Sequence, residues 1–300
     1  MPSHLFFPLF SSVIFVIGMM FAKNAITRGA SPWTSTFLAN LCLALSWAIF
    51  GLVRGELLPV SGWWQATLVA LAFVLGQMFT YLAFQYGDIS VATPIFGVKV
   101  LIVAAMISVM ADEPVPGRVW IGAFLATVGV GFVQAGTSSK SSAIGLTPGK
   151  AVLTVIMALL AGISLSLFDV GLQTWGRHWG AETFLPAMFV ATGILSCVFL
   201  PWVDRPFRLV ELGVIKPLMI GALLMAVQAM SMSYSLSAFG DATRINIVYA
   251  LRGLWAVVLA WTLARIFGGH EAHHSARVML MRLAGAVLLT ASVIVSLLAH

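Results

Sequence analysis

Charge is what this sequence has least of. Asp, Glu, Lys and Arg make up 9% of its 300 residues and hydrophobic residues 60%, with a mean hydropathy of +1.02. That balance excludes a soluble domain of this length. Cysteine is nearly missing too: Cys42 and Cys197 fall inside apolar runs, which excludes a disulfide framework and leaves them as small apolar side chains. The net charge of +6 suggests an anionic polymer as partner, yet the cations are scattered singly, without the basic run that nucleic-acid binding needs. No Gly-rich phosphate loop ending in Lys-Ser/Thr occurs. The six His lie in connections or at the termini, and no nucleophile with its base or paired carboxylates at one depth is visible, so the sequence offers neither an enzyme's constellation nor a cofactor site. His270, Glu271, His273 and His274 have a metal-like composition but no second ligand group at a recognisable spacing, and read as a solvated loop with no metal.

Long apolar runs are what the chain does have. A helix crossing a hydrocarbon core of roughly 30 Å needs about 20 apolar residues. Ten such stretches stand between charged or Pro/Gly-rich breaks, at approximately 5–26, 33–53, 63–86, 89–111, 117–136, 149–172, 182–201, 217–238, 241–267 and 278–298. The expected class is therefore an all-α integral membrane protein with ten transmembrane helices, expected in a plasma or inner membrane. The Ser/Gly-rich stretch from Gly136 to Pro148 reads as a linker. It divides the chain into a first five-helix repeat at 1–139, a linker at 140–148 and a second repeat at 149–300.

The two halves echo each other. Gly87-Asp88 precedes Lys99 by eleven residues and Gly240-Asp241 precedes Arg252 by eleven, an offset of 153 in both cases (241 − 88 and 252 − 99). Gly122 to Val130 is answered by Gly285 to Val293, at an offset of 163. With five spans per copy the second copy enters the membrane from the opposite face, which predicts an inverted repeat.

Asp112-Glu113 closes the fourth span ahead of a Gly/Ala-rich fifth, and Glu271 stands in the same relation to the tenth. Together with Gly18, Phe21, the Ser31-Pro32 step and Pro94, this ordered set resembles the ten-helix EamA-type transporters of the drug/metabolite transporter superfamily. The sequence departs from that pattern at Ile17-Gly18, where the family commonly has Trp-Gly, and at Asn40, near where it often has Arg. The resemblance implies a basket of helices around a central cavity, with spans 1, 3, 4, 6, 8 and 9 lining it, and both termini inside the cell.

The residues raise their own candidates. At 1.5 Å per residue Lys99 lies about 16 Å into the fourth span, counting from Asp88, and Arg252 lies equally deep in the ninth. A cation near the bilayer midplane costs on the order of 2.5–3.5 kcal/mol unless it meets water, a partner or a ligand. One reading is a divided clamp for a carboxylate or phosphate. The other is internal neutralisation, by helix carbonyls, tyrosines or Asp169, an acidic side chain within the sixth span. Asp169 is the candidate for ion coupling, while Asp88 and Asp241 follow glycines at helix starts and read as N-caps. Asn246, Tyr249 and Arg252 recur on one side of the ninth span, Gln77 and Tyr81 share a face of the third, and Gln228 and Tyr234 lie on the eighth; these are expected to line the cavity or to bond between helices.

The expected function is secondary active transport, as an exporter, of a small polar metabolite, anionic or zwitterionic such as an amino acid or organic acid. The alternatives are an exporter of lipophilic or cationic drugs and a non-transporting membrane scaffold. Partners are the small-molecule substrate and membrane lipids, with the chain a monomer or homodimer. The Lys and Arg count, four on the N-terminal side of the membrane against ten on the other, favours both termini outside. A reporter fused after His300 should accordingly be active only on the non-cytoplasmic face, whereas cytoplasmic activity would uphold the family orientation.

Overall fold

The computed structural model describes residues 3–86, 97–110, 115–135, 148–267 and 276–298. The Gly87-Asp88 step, Pro94, Asp112-Glu113, most of the linker and His270 to His274 lie outside them. The architecture is all-α. The elements are α1 (Phe6–Thr27), α2 (Pro32–Arg54), α3 (Trp63–Tyr86), α4 (Lys99–Met110), α5 (Gly117–Ala135), α6 (Pro148–Gly171), α7 (Ala181–Leu195), a short helix Pro206–Glu211, α8 (Ile215–Phe239), α9 (Ala242–Tyr249), α10 (Arg252–Phe267) and α11 (Ala276–Leu297). Among the described residues eight helices are long and apolar enough to cross a membrane, and Lys99–Val109 and Gly117–Val133 are shorter apolar helices.

Local chemistry sets several boundaries. Pro32 opens α2, where its missing N–H costs nothing, and the Ser31 side chain accepts from Trp33 N at 3.3 Å. The Asp204 carboxylate, brought in from the segment after α7, accepts from Ser31 N and from Thr34 Oγ1 at 2.9 Å. A negative charge at that helix end is stabilising, and Arg208 Nη1 at 3.0 Å neutralises it. Gly240 closes α8 in the left-handed region at φ 62° with its N–H on Leu236 O. A Cβ there would collide with the Arg177 side chain. The Gly of the repeated Gly-Asp step is thus a helix stop at its second occurrence.

Three runs read as single spans are irregular. The ninth is broken by a turn at Ala250 and Leu251, where bonding tightens to Leu251 N→Val248 O (3.1 Å) and Gly253 N→Ala250 O (3.1 Å). The seventh changes after Leu195 into a 3₁₀ stretch, Ser196–Trp202, holding Pro201. The sixth does not end near Gly171: it runs on through a π-helical turn, Leu172–Gly176, to Trp179. Asp169, three residues before the end of the sixth apolar run as read at 149–172, therefore lies well inside the helix, because the wide turn lets the helix pass Gly171 instead of stopping there.

Contacts gather the chain into two compact units, one of residues 1–5, 78–170 and 242–300, the other of 6–77 and 171–241. Each unit draws helices from both sequence halves. In the first, α5 packs against α11 through small residues: a Cβ on Gly122 would stand 3.0 Å from Ser292 O, and one on Gly285 2.7 Å from Val133 N and 2.8 Å from Gly129 O. Higher numbers in α5 meet lower numbers in α11, so the pair is antiparallel. The contacts Gly122–Ser292 and Gly129–Gly285 exchange under the 163-residue offset (285 − 122 and 292 − 129). Small residues let helix backbones approach where no hydrophobic effect drives them together. Gly122 and Gly129 thus pack against α11 of the same chain. Around the crossing Val100, Val119, Ala123, Ile247 and Leu289 form a core.

In the second unit α1 pairs antiparallel with α8, where a Cβ on Gly221 would lie 3.0 Å from Ala22 N. Helices α2 and α7 are also antiparallel, Gly51 facing Pro186 and Gly193 facing Ala44. Gly131, by contrast, has nothing within 4 Å of its notional Cβ. Gly285→Ala should destabilise the detergent-solubilised protein by about 1–3 kcal/mol through overpacking. Gly131→Ala should be neutral or stabilising by up to about 1 kcal/mol. Thermal unfolding of the two variants side by side checks the contrast.

Candidate functional site

Lys99, Asp169 and Arg252 all lie in the first unit. Lys99 is the first residue of α4, directly after a turn at Val98. Thr127 of α5 steadies that start, its Oγ1 donating to Gly97 O at 3.1 Å, and Gly97 leaves room for Val130 beside it. Arg252 is the first residue of α10, directly after the turn at Ala250 and Leu251. The two turns coincide under the 153-residue offset, Val98 corresponding to Leu251. Asp169 stands three residues before the π-helical turn. Each of the three thus sits beside a departure from regular helix, a place where the backbone can present a side chain otherwise unreachable, and where functional sites recur.

Lys99 Nζ lies 2.7 Å from Asp169 Oδ2, with the two side chains 15% and 2% exposed. The same oxygen accepts from Asn246 Nδ2 at 2.7 Å. Asn246, itself buried, also donates to Ala242 O at 2.9 Å, which fixes its amide. One helical turn on, Tyr249 is buried and carries the Arg252 guanidinium over its ring, 4.6 Å from the centroid. Ser166, one turn before Asp169, donates to Gly162 O at 2.7 Å and faces Lys99 O at 3.5 Å.

Of the residues singled out in the sequence, Lys99, Asp169 and Asn246 are joined by direct contacts, and Tyr249 and Arg252 meet each other further along the same span as Asn246. Lys99 has a carboxylate partner within the chain, and Arg252 has an aromatic one. Tyr81 lies half-buried in α3 of the same unit. Gln77, Gln228 and Tyr234 belong to the second unit. There Gln77 exchanges two amide hydrogen bonds with Asn40, at 2.8 and 3.0 Å, and Asn40 also donates to Ser196 Oγ at 2.8 Å. The Gln228 carbonyl accepts from Ser11. Tyr234 stacks obliquely on Phe7, 5.7 Å between centroids. It also lines an apolar groove of about 490 Å³ with Phe6, Phe10, Trp47 and Met230. Sequence spacing missed Ser166 and the Asn40–Gln77–Ser196 network, for which hydroxyls and amides inside spans were the only signal.

A buried ion pair is costly to break because the survivor keeps its charge without compensation. Lys99→Gln or Asp169→Asn alone should each lower stability by about 3–5 kcal/mol, and the double variant should recover most of that loss. Unfolding of the three variants in one detergent is the check; additive losses would show that the two do not act as a pair.

Residues 2–134 match the EamA-like transporter family. No curated protein matches the chain. Among solved structures, one crystal structure of a protein superposes with a TM-score of 0.67 at 16% identity, over 99% of this chain and 97% of that one. At such identity the likeness speaks for the fold. With eight described helices long and apolar enough to cross a membrane, the chain is a multi-pass membrane protein whose residues 2–134 are similar to the EamA-like transporter family.

Proposed function

We propose that the chain is a secondary active transporter that exports a small polar metabolite, anionic or zwitterionic such as an amino acid or organic acid, by alternating access of two inverted five-helix halves. The observation that carries this reading is the Lys99–Asp169 pair at 2.7 Å, with Asn246 on the same carboxylate oxygen and Arg252 six residues after Asn246 in the same span. Ionisable groups within spans are functional by default because an inert bundle gains nothing from their desolvation. Two cations and one carboxylate suit a solute that brings a carboxylate or phosphate, with or without an ammonium to meet Asp169. The antiparallel packing of equivalent helices supports the inverted halves. The paired helix breaks beside Lys99 and Arg252 resemble the discontinuous helices on which transporters build midplane sites.

Purified protein in liposomes should exchange radiolabelled amino acids or organic acids without nucleotide. Arg252→Gln should weaken uptake affinity about 10- to 100-fold, the loss of a charge-assisted hydrogen bond. A strict need for ATP would overturn the reading, and unchanged affinity in Arg252→Gln would remove that residue from the site. One observation favours a second reading, export of lipophilic or cationic drugs: the aromatic groove of Phe6, Phe7, Phe10, Trp47 and Tyr234, whose faces attract apolar and cationic solutes. Transport of a lipophilic cation in preference to the acids would support it.

A further inference from the structure

We infer that one end of the second unit, built from the α1–α2 turn and the segment 202–216, is a binding site for an anionic phospholipid. Lys23, Arg28, Arg205 and Lys216 attract its headgroup phosphate, while Phe207 and Val210 meet its acyl side. The inference does not depend on which solute the chain moves.

Direct contacts bring these segments to the same end of the unit. Gly221 near the start of α8 lies against Ala22 near the end of α1, and a Cβ on Gly29 would stand 3.6 Å from Leu212. Asp204 accepts from Ser31 N, and Arg208 joins Asp204 at 3.0 Å to Gly29 O at 3.3 Å. Leu209 and Leu212 pack on a core of Ala25, Ala30, Val214 and Leu218. The short helix Pro206–Glu211 is thereby held against the turn by one side. At 100° per residue the opposite side carries Phe207 and Val210, which are 84% and 62% exposed. Large apolar side chains turned outward beside a span belong at the bilayer interface, where they enter the boundary between headgroups and acyl chains. Trp33 and Trp202, with ring centroids 5.7 Å apart, stand at this same end, as residues of an interfacial belt do.

The charges at this level are unbalanced. Arg208 is engaged by Asp204. Lys23, Arg28, Arg205 and Lys216 are exposed and enter no ion pair among the described residues. With Arg208 they make five cations against Asp204 and Glu211, a net +3 (5 − 2). At the unit's other end Arg54 and Arg177 stand with Glu56, Glu182 and Asp241, a net −1 (2 − 3), and Arg54 pairs with Glu182 at 2.9 Å. Unpaired cations at headgroup level attract phosphate, and the long stem of Lys23, inside the last turn and a half of α1, lets its ammonium reach that level. Free phosphate would satisfy the cations and leave Phe207 and Val210 unmatched. An anionic amphiphile matches both.

Native mass spectrometry tests this on the purified full-length protein, equilibrated with equal amounts of phosphatidylglycerol and phosphatidylcholine bearing the same chains. Phosphatidylglycerol should be retained over phosphatidylcholine by about tenfold at low salt, and the preference should shrink as salt is raised. Each of Lys23→Gln, Arg28→Gln, Arg205→Gln and Lys216→Gln should lower it by up to about fivefold, and the four together should abolish it. Arg54→Gln at the other end should leave it intact. Phe207→Ser should weaken retention of both lipids, and excess inorganic phosphate should not displace phosphatidylglycerol. Equal retention of the two lipids by the wild type overturns the inference, as does a preference that survives all four substitutions. Displacement by phosphate, with Phe207→Ser without effect, overturns it too and leaves a plain anion site. If the fourfold variant does not fold, the single variants carry the same test: no change in any of them overturns the inference.

Discussion

Everything in this structure answers to one constraint: inside a bilayer no water is available to satisfy a charge or a backbone group. Lys99 and Asp169 show it most directly. A lone ammonium or carboxylate at that depth is untenable, and the two meet at 2.7 Å with Asn246 holding the same carboxylate oxygen. Arg252 meets the constraint differently, spreading its charge over the face of Tyr249. A buried ion pair is weak evidence for stability, because desolvation offsets much of the attraction. Its retention inside a span points to use, and the use proposed above needs a carboxylate able to yield its cation.

The same constraint governs the backbone. Where the ninth span breaks at Ala250 and Leu251, the chain tightens to i−3 bonding, so that amides next to Arg252 keep carbonyl partners. Where the sixth passes Gly171, a π turn keeps the helix bonded and leaves Asp169 well inside it. Helix packing cannot rely on the hydrophobic effect either, since lipid is as apolar as leucine. Close approach through Gly122, Gly129 and Gly285 supplies the contact instead. Thr127 in the same helix as Gly122 and Gly129 supports the start of α4, so the glycine-mediated crossing and the placement of Lys99 are parts of one piece of packing.

How much could be read without coordinates differs by level. The apolar runs forecast the helices closely: the stretch near 33–53 is Pro32–Arg54 and that near 217–238 is Ile215–Phe239. Insertion into hydrocarbon is decided by composition over about 20 residues, a quantity the sequence carries locally. The depth of Lys99 and Arg252, and the pairing of Gly122 with the segment around Gly285 as repeats, came from counting along the chain.

Counting along the chain could not say who meets whom. Whether Lys99 faces an arginine, a solute or Asp169 depends on how helices from both halves interleave, and 70 residues separate Lys99 from Asp169 (169 − 99). Nor could the sequence tell that Gly171 lets a helix pass while Gly240 stops one, since both are glycines near an aspartate; the difference is a π turn in one place and a left-handed residue over Arg177 in the other. The sequence by itself determined that this chain lives in the membrane, and that three ionisable side chains must lie within it. The tertiary structure alone decided that Lys99 meets Asp169 and Arg252 meets Tyr249, because in a medium without water a charge takes its partner from whichever helix the packing brings near.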